Sequence, residues 1–125
     1  MKSQKVNTHH DLDVWKRSIS YVTKIYELTE TFPSEERFGL ISQIRRSAIS
    51  IPSNVAEGAA CRSNKEFLQF LYISLGSVAE LETQLIISNN LKFMESSDQL
   101  LSELNEIKNM TLGLIKYVKS KTGNK

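Results

Sequence analysis

The chain is 125 residues long and carries 16 Lys+Arg against 14 Asp+Glu, a formal charge of +2 with both histidines neutral. That length holds one domain and excludes a nucleotide-binding domain joined to a separate substrate domain. Five glycines and two prolines are too few for the tight turns of an all-β fold, so a few long helices are expected.

The N-terminal sequence MKSQKVNTHHDLDVW lacks the apolar stretch of a secretory signal, and no run of about 18 apolar residues follows elsewhere. The single cysteine, Cys61, has no intrachain partner for a disulfide, which suits a reducing compartment. A cytoplasmic protein is the expectation, with a flexible segment 1–10 ahead of the domain.

From Asp11, placed to cap, apolar residues fall at Leu12, Trp15, Ile19, Val22, Tyr26 and Phe32, a helical stripe. It ends at Phe32, because Pro33 disfavours the α conformation in the residue before it. Ser34 is placed as the next N-cap, with Glu35 and Glu36 in the first turn, where the helix dipole favours acids. The second stripe, Ile41, Ile44, Ala48, Ile51 and Val55, keeps its spacing through Pro52, which predicts one helix bent near that proline. Gly58 marks its fraying end. Ser63 with Glu66 forms a capping box for a third helix carrying Leu68, Leu71, Leu75, Val78, Leu81 and Leu85, which runs to Asn89-Asn90. Ser96 with Gln99 resembles a second capping box, and Leu104, Ile107, Thr111, Leu114 and Val118 supply the fourth stripe. Residues 119–125 read as a frayed basic tail.

Four amphipathic helices with short connections predict an all-α, antiparallel up-down-up-down four-helix bundle, residues 1–125 forming one domain. With the turn between the second and third helices near residue 62, positions whose numbers sum to about 125 stand level. Ala48 then faces Gly76 or Ser77, where small residues allow close approach, and Arg45 stands level with Glu80.

No Glu-x-x-His pair exists for a di-metal site, and His9 and His10 sit together ahead of the first helix. Glu80 and Glu82 point apart on a helix, so they form no acid/base pair. Arg62 and Lys65 near Cys61 favour a thiolate, yet no histidine lies in the folded body to complete a nucleophilic pair. The expectation is a protein with no catalytic residues, no metal and no cofactor.

A second stripe on the second helix, Gln43, Ser47, Ser50, Asn54 and Glu57, is polar but short and mostly uncharged, which suits a face that packs while hydrogen-bonding. Another subunit or an ordinary polar helix contact would serve equally. Tyr21, Phe38, Phe70, Tyr72, Ile87 and Phe93 lie outside the core stripes, and surplus large apolar side chains mark interfaces. Beyond Glu106 there is no acid, while Lys108, Lys116, Lys119, Lys121 and Lys125 follow; Arg45-Arg46 and Arg62 with Lys65 make two smaller clusters. Such charge binds phosphates without reading sequence, or only complements a helix C-terminus and keeps the chain soluble.

The run Gln43-Ile-Arg45-Arg46-Ser-Ala-Ile-Ser50-Ile-Pro52-Ser53-Asn54-Val-Ala56-Glu57-Gly58 resembles the ribosomal RNA intervening-sequence proteins, the S23-like family. Val14-Trp15, Phe32-Pro33, Glu36, Gly39-Leu40, Glu66-Phe67, Phe70-Leu71, Gly76-Ser77 and Glu80 to Leu85 extend the likeness over roughly residues 12 to 118. Relatives usually carry Arg-Arg-Ala where this chain has Arg46-Ser47. The resemblance implies a four-helix bundle that assembles into a homopentameric ring without catalytic activity. A similar protein is an accessory subunit of diversity-generating retroelements, where a basic pentamer binds nucleic acid and a reverse transcriptase. It further implies that Gln43, Arg46, Ser50, Asn54, Glu57 and Glu80 form a structural polar network or subunit interface. Arg45, Arg62, Lys65, Lys116, Lys119 and Lys121 are the expected contacts to RNA or DNA. The alternative is a protein-interaction scaffold that touches no nucleic acid and uses no membrane.

Overall fold

The computed structural model describes residues 12–122. Four helices follow one another: α1 (Asp13–Thr29), α2 (Leu40–Ala59), α3 (Asn64–Asn90) and α4 (Asp98–Thr122), with no strand among the described residues. Each helix packs on the next and α1 closes against α4, the cycle of an up-down-up-down four-helix bundle. At 1.5 Å per residue α3 is about 40 Å long.

The helix ends refine the expected boundaries. Asp11 lies outside the described residues, and Leu12 occupies the N-cap position of α1 without a side-chain cap. Between α1 and α2 the chain first makes a short 3-10 turn, Ser34–Glu36, so Ser34 starts that turn and Gly39 takes the N-cap position of α2. Pro33 enforces this break by removing a backbone donor and holding its predecessor out of the helix. Ser63 caps α3 as expected: its Oγ accepts the Glu66 N–H at 3.1 Å, and its hydroxyl donates to Glu66 Oε1 at 3.3 Å. For α4 the cap is shorter than the expected box, Ser96 Oγ accepting from Asp98 N–H at 3.1 Å.

The end of α3 is a Schellman motif. Phe93 N–H donates to Ser88 O at 3.0 Å and Lys92 N–H to Asn89 O at 3.0 Å, which requires a left-handed residue at the turn. Lys92 fills it, with φ 65°, where glycine is the usual occupant. The motif also turns Phe93 back onto Phe32, ring centroids 5.4 Å apart.

The α2 stripe is buried as expected, and the helix runs unbroken through Pro52, itself buried. In α1 the stripe is rotated by one position. Val14, Ser18, Tyr21, Ile25 and Thr29 are buried, while Ile19 is exposed. A count of apolar residues misses this face because two members are hydroxyls, and Thr29 satisfies its own by donating to Ile25 O at 2.8 Å. Tyr21, expected outside the core, reaches across to Leu100 O at 2.7 Å. Burial, and after it the Glu103 carboxylate, pushes its phenol pKa well above the ordinary value. Phe70 and Phe93 are half-buried, so the surplus at the surface narrows to Phe38, Tyr72 and Ile87 with a few other aliphatics.

The register between α2 and α3 agrees with the level rule. Ser74 Oγ–H donates to Ile51 O at 3.0 Å and Ser77 Oγ–H to Ser50 Oγ at 2.7 Å. The close approach, however, is not at Gly76, where an added Cβ would meet nothing within 4 Å. It is at Gly58, whose Cβ would stand 2.8 Å from Phe67 Cδ1 and 2.9 Å from Phe70 Cβ. Gly58 is therefore a buried helix residue where α2 and α3 converge on their turn, and not a frayed end.

Candidate nucleic-acid interface

Because neighbouring helices run antiparallel, the α2–α3 turn and the C-terminal end of α4 lie at one end of the bundle. That topology puts Arg62 and Lys65 at the same end of the bundle as Lys116, Lys119 and Lys121, although more than fifty residues separate the two groups in the chain. All five side chains are exposed. Arg62, Lys65, Lys116 and Lys119 have no hydrogen-bond or ion-pair partner among the described residues; Lys121 rests over the Tyr117 ring at 5.1 Å. Lys119 and Lys121, expected in a frayed tail, ride on the last turn of α4. Asp13, Glu57 and Glu66 share this end, and Glu66 is drawn to the Ser63 cap. The five cations outnumber these three acids.

Arg45 does not belong to this group. It sits at the opposite end, and its guanidinium is committed to α1: Nε donates to Thr29 Oγ1 at 2.8 Å, and Nη2 to Tyr26 O at 3.2 Å and Glu30 Oε2 at 3.3 Å. The same group stacks on the Tyr26 ring at 4.3 Å. It is a clamp on the last turn of α1, where a cation is favoured. Nor does it meet Glu80, because it leaves α2 on the α1 side while Glu80 receives the amide of Gln84 at 3.4 Å.

Of the expected polar network, the structure brings part together. Ser50 Oγ accepts from Ser77 Oγ–H and from Asn54 Nδ2 at 2.8 Å, and Asn54 also donates to Ser50 O at 2.8 Å. Ser47 is buried and donates to Gln43 O at 3.0 Å. Gln43, Arg46 and Glu57 have exposed side chains with no partner among the described residues. Ser74 and Ser88, missed from sequence, are also fully buried; they share a helix face with Ser77 and Gln84, a polar row obscured by the stronger leucine stripe.

The outer surface of α3 carries several large apolar side chains, with the exposed Glu80 between Ile73 and Ile87. Tyr72, Ile73, Ile86, Ile87 and Leu91 are exposed, interspersed with Gly76, Ala79 and Thr83 on the same face. The helix is long and apolar enough to cross a membrane by composition alone, yet its Leu71, Leu81 and Leu85 are fully buried in the bundle core. An apolar exterior on a bundle helix is a face that favours burial against another surface.

Cys61 donates its thiol to Glu57 O at 3.3 Å. Desolvation raises its pKa, and Glu66 and Glu57 raise it further, so the neighbouring carboxylates outweigh the Arg62 and Lys65 expected to stabilise a thiolate. No group of three or more His, Cys, Asp or Glu among the described residues is arranged to hold a metal ion; His9 and His10 lie outside them.

The family described as 23S rRNA-intervening sequence protein matches residues 10–113. The chain belongs to this family. In this intervening-sequence protein the long motif from Gln43 to Gly58 lies within α2, with Ile44, Ala48, Ile51 and Val55 buried in the core and Ser50 bonded to Ser77 of α3. A crystal structure from Bacteroides thetaiotaomicron, described as a protein with unknown function from the S23 ribosomal protein family, is similar at TM-score 0.75 and 24% identity. The match covers 82% of this chain and 95% of that one, and supports the bundle fold. No curated protein matches the chain.

Proposed function

We propose that this intervening-sequence protein is a non-enzymatic, self-assembling cytoplasmic bundle that binds RNA or DNA through the basic end without reading sequence. The observation that carries this reading is the convergence of Arg62, Lys65, Lys116, Lys119 and Lys121 at one end of the fold, most of them without partners. Solvated cations that answer no acid are suited to replace counterions along a phosphate backbone.

Assembly supplies the affinity that a charge of +2 per chain does not. The apolar outer face of α3 and the neutral polar edge of α2 beside it form a surface that another copy can cover, as the homopentamer implied by the family resemblance requires. Five copies in a ring would carry about +10 and present five basic ends, so weak contacts gain by effective concentration.

Fluorescence anisotropy against a structured RNA at about 50 mM and 200 mM salt tests the binding, the affinity falling steeply between the two. Light scattering tests the assembly, with a mass near five times the 14.2 kDa chain expected. Absence of binding at the lower salt, or binding indifferent to salt, removes the nucleic-acid reading. Retention of a protein partner after nuclease treatment in that case would favour the scaffold.

A further inference from the structure

At the end of the bundle opposite the basic cluster, a groove of about 440 Å³ opens between α1 and α2. Tyr26, Ile41 and Ile49 contribute its apolar lining, with Arg37, Phe38 and Arg46 beside them, and no carboxylate lines it. Phe38 is 91% exposed. A ring so fully in water has no packing role in the monomer.

Arg37 and Arg46 are exposed, and neither guanidinium has a hydrogen-bond or ion-pair partner among the described residues. Arg45, the third guanidinium in the groove, is already neutralised by Glu30 at 3.3 Å and stacked on Tyr26. On the adjoining turn Glu35 is exposed, and Glu36 is turned toward the start of α2, its Oε1 accepting Leu40 N–H at 3.4 Å. The groove therefore offers one free aromatic face and two unspent cations.

We infer that this groove takes one unpaired nucleotide of a single-stranded nucleic acid, the base stacked on Phe38 and the phosphate held by Arg37 and Arg46. The inference rests on the nucleic-acid reading above and adds a second contact at the far end of the bundle. The chemistry favours a single strand over a duplex because only an unstacked base exposes a face to the ring. Guanidinium forks suit the flanking phosphate, which they bind through paired N–H donors. A duplex would engage the basic end alone.

The test compares wild type, Phe38→Ala, Phe38→Trp and the double variant Arg37→Gln/Arg46→Gln. Probes are fluorescein-labelled oligouridine and oligothymidine of about 15 nucleotides and an RNA duplex of about equal length, the size a few single-strand sites occupy. Phe38→Ala is expected to weaken both single strands roughly tenfold, the loss of one base stack, and to leave duplex affinity unchanged. Phe38→Trp should match or exceed wild type. The double variant should weaken single-strand binding and reduce its salt slope by about 0.7, the share of the one phosphate the two guanidiniums hold. Since Phe38 is solvent-exposed, its replacement leaves the fold intact, which circular dichroism verifies.

If wild type binds and Phe38→Ala binds single strands as well as wild type does, the inference fails and the basic-end reading stands. If wild type binds none of the probes, both fail. A lower assembled mass for Phe38→Ala by light scattering makes the groove a contact between copies, and that also overturns the nucleotide site.

Discussion

Gly58→Ala separates close packing from helix propensity. In an open helix interior the change from glycine to alanine gains about 1 kcal/mol, because the unfolded chain loses freedom and the helix gains a favoured residue. At Gly58 the new methyl would lie 2.8 Å from Phe67 Cδ1, 2.9 Å from Phe70 Cβ and 3.2 Å from Phe67 O. Carbon atoms in good contact sit about 3.5–4.0 Å apart. The Phe67 ring can rotate aside, but Phe70 Cβ and the Phe67 carbonyl are fixed to α3, so α2 and α3 must part by several tenths of an ångström at their turn.

Overpacking of this kind costs about 1–3 kcal/mol, which exceeds the propensity gain. The expected net effect is a loss of up to about 2 kcal/mol. Urea unfolding followed by circular dichroism at fixed protein concentration reads this as a lower midpoint with an unchanged slope. Gly113→Ala is the control. Its Cβ meets nothing within 4 Å, and it should raise stability by about 0.5–1 kcal/mol. A Gly58→Ala midpoint equal to or above wild type would refute the packing argument.

Three further outcomes follow from the same geometry. Lys92→Gly should stabilise by about 0.5–1 kcal/mol in the same urea assay, because φ 65° strains an L side chain and glycine adopts it freely. Tyr21→Phe should cost about 1 kcal/mol near neutral pH through loss of the bond to Leu100 O. Tyr21 has its folded pKa raised, so its proton is held more tightly in the folded state. That stability is intact below the ordinary phenol pKa near 10 and is lost above it, as the unfolded chain ionises first. Tyr21→Phe should therefore flatten the alkaline side of the stability profile. Cys61 should alkylate with iodoacetamide more slowly at pH 7.5 than a small free thiol, since its raised pKa lowers the thiolate fraction; a faster reaction contradicts the desolvated environment flanked by Glu66 and Glu57.

The fold class was legible because four apolar stripes and their punctuation agree. Pro33 breaks the chain, Ser63 with Glu66 caps α3, and the α2 stripe is buried residue for residue. What escaped was decided by tertiary contacts. The buried face of α1 includes Ser18 and Thr29, which no hydrophobic count selects. The Schellman turn at Lys92 has no glycine to announce it. Gly76 and Gly58 are alike in sequence, and only the approach of Phe67 and Phe70 tells which one is crowded.

The candidate site was half legible. The lysine excess beyond Glu106 is plain in sequence, but its meeting with Arg62 and Lys65 depends on antiparallel helices bringing distant segments to one end. The resemblance implies a phosphate contact for Arg45 and a place in the polar network for Arg46, its neighbour of the same charge. One residue of helical rotation sends Arg45 to Thr29, Tyr26 and Glu30 and leaves Arg46 free. Phe38 read as one of several surplus apolar residues until its exposure set it apart from Tyr21, which is buried.

Binding of the phosphate backbone by the basic end is the proposal on which the others depend. Replacing Arg62, Lys65, Lys116, Lys119 and Lys121 together by Gln removes that charge while leaving the core untouched, because all five are exposed. Anisotropy titration of this variant against duplex RNA at several salt concentrations measures affinity and salt slope together. The expected result is a large fall in affinity at low salt, with a slope reduced by about 0.9 for each phosphate no longer neutralised. Affinity and slope both equal to those of the wild type would contradict a phosphate-binding role for this end of the bundle.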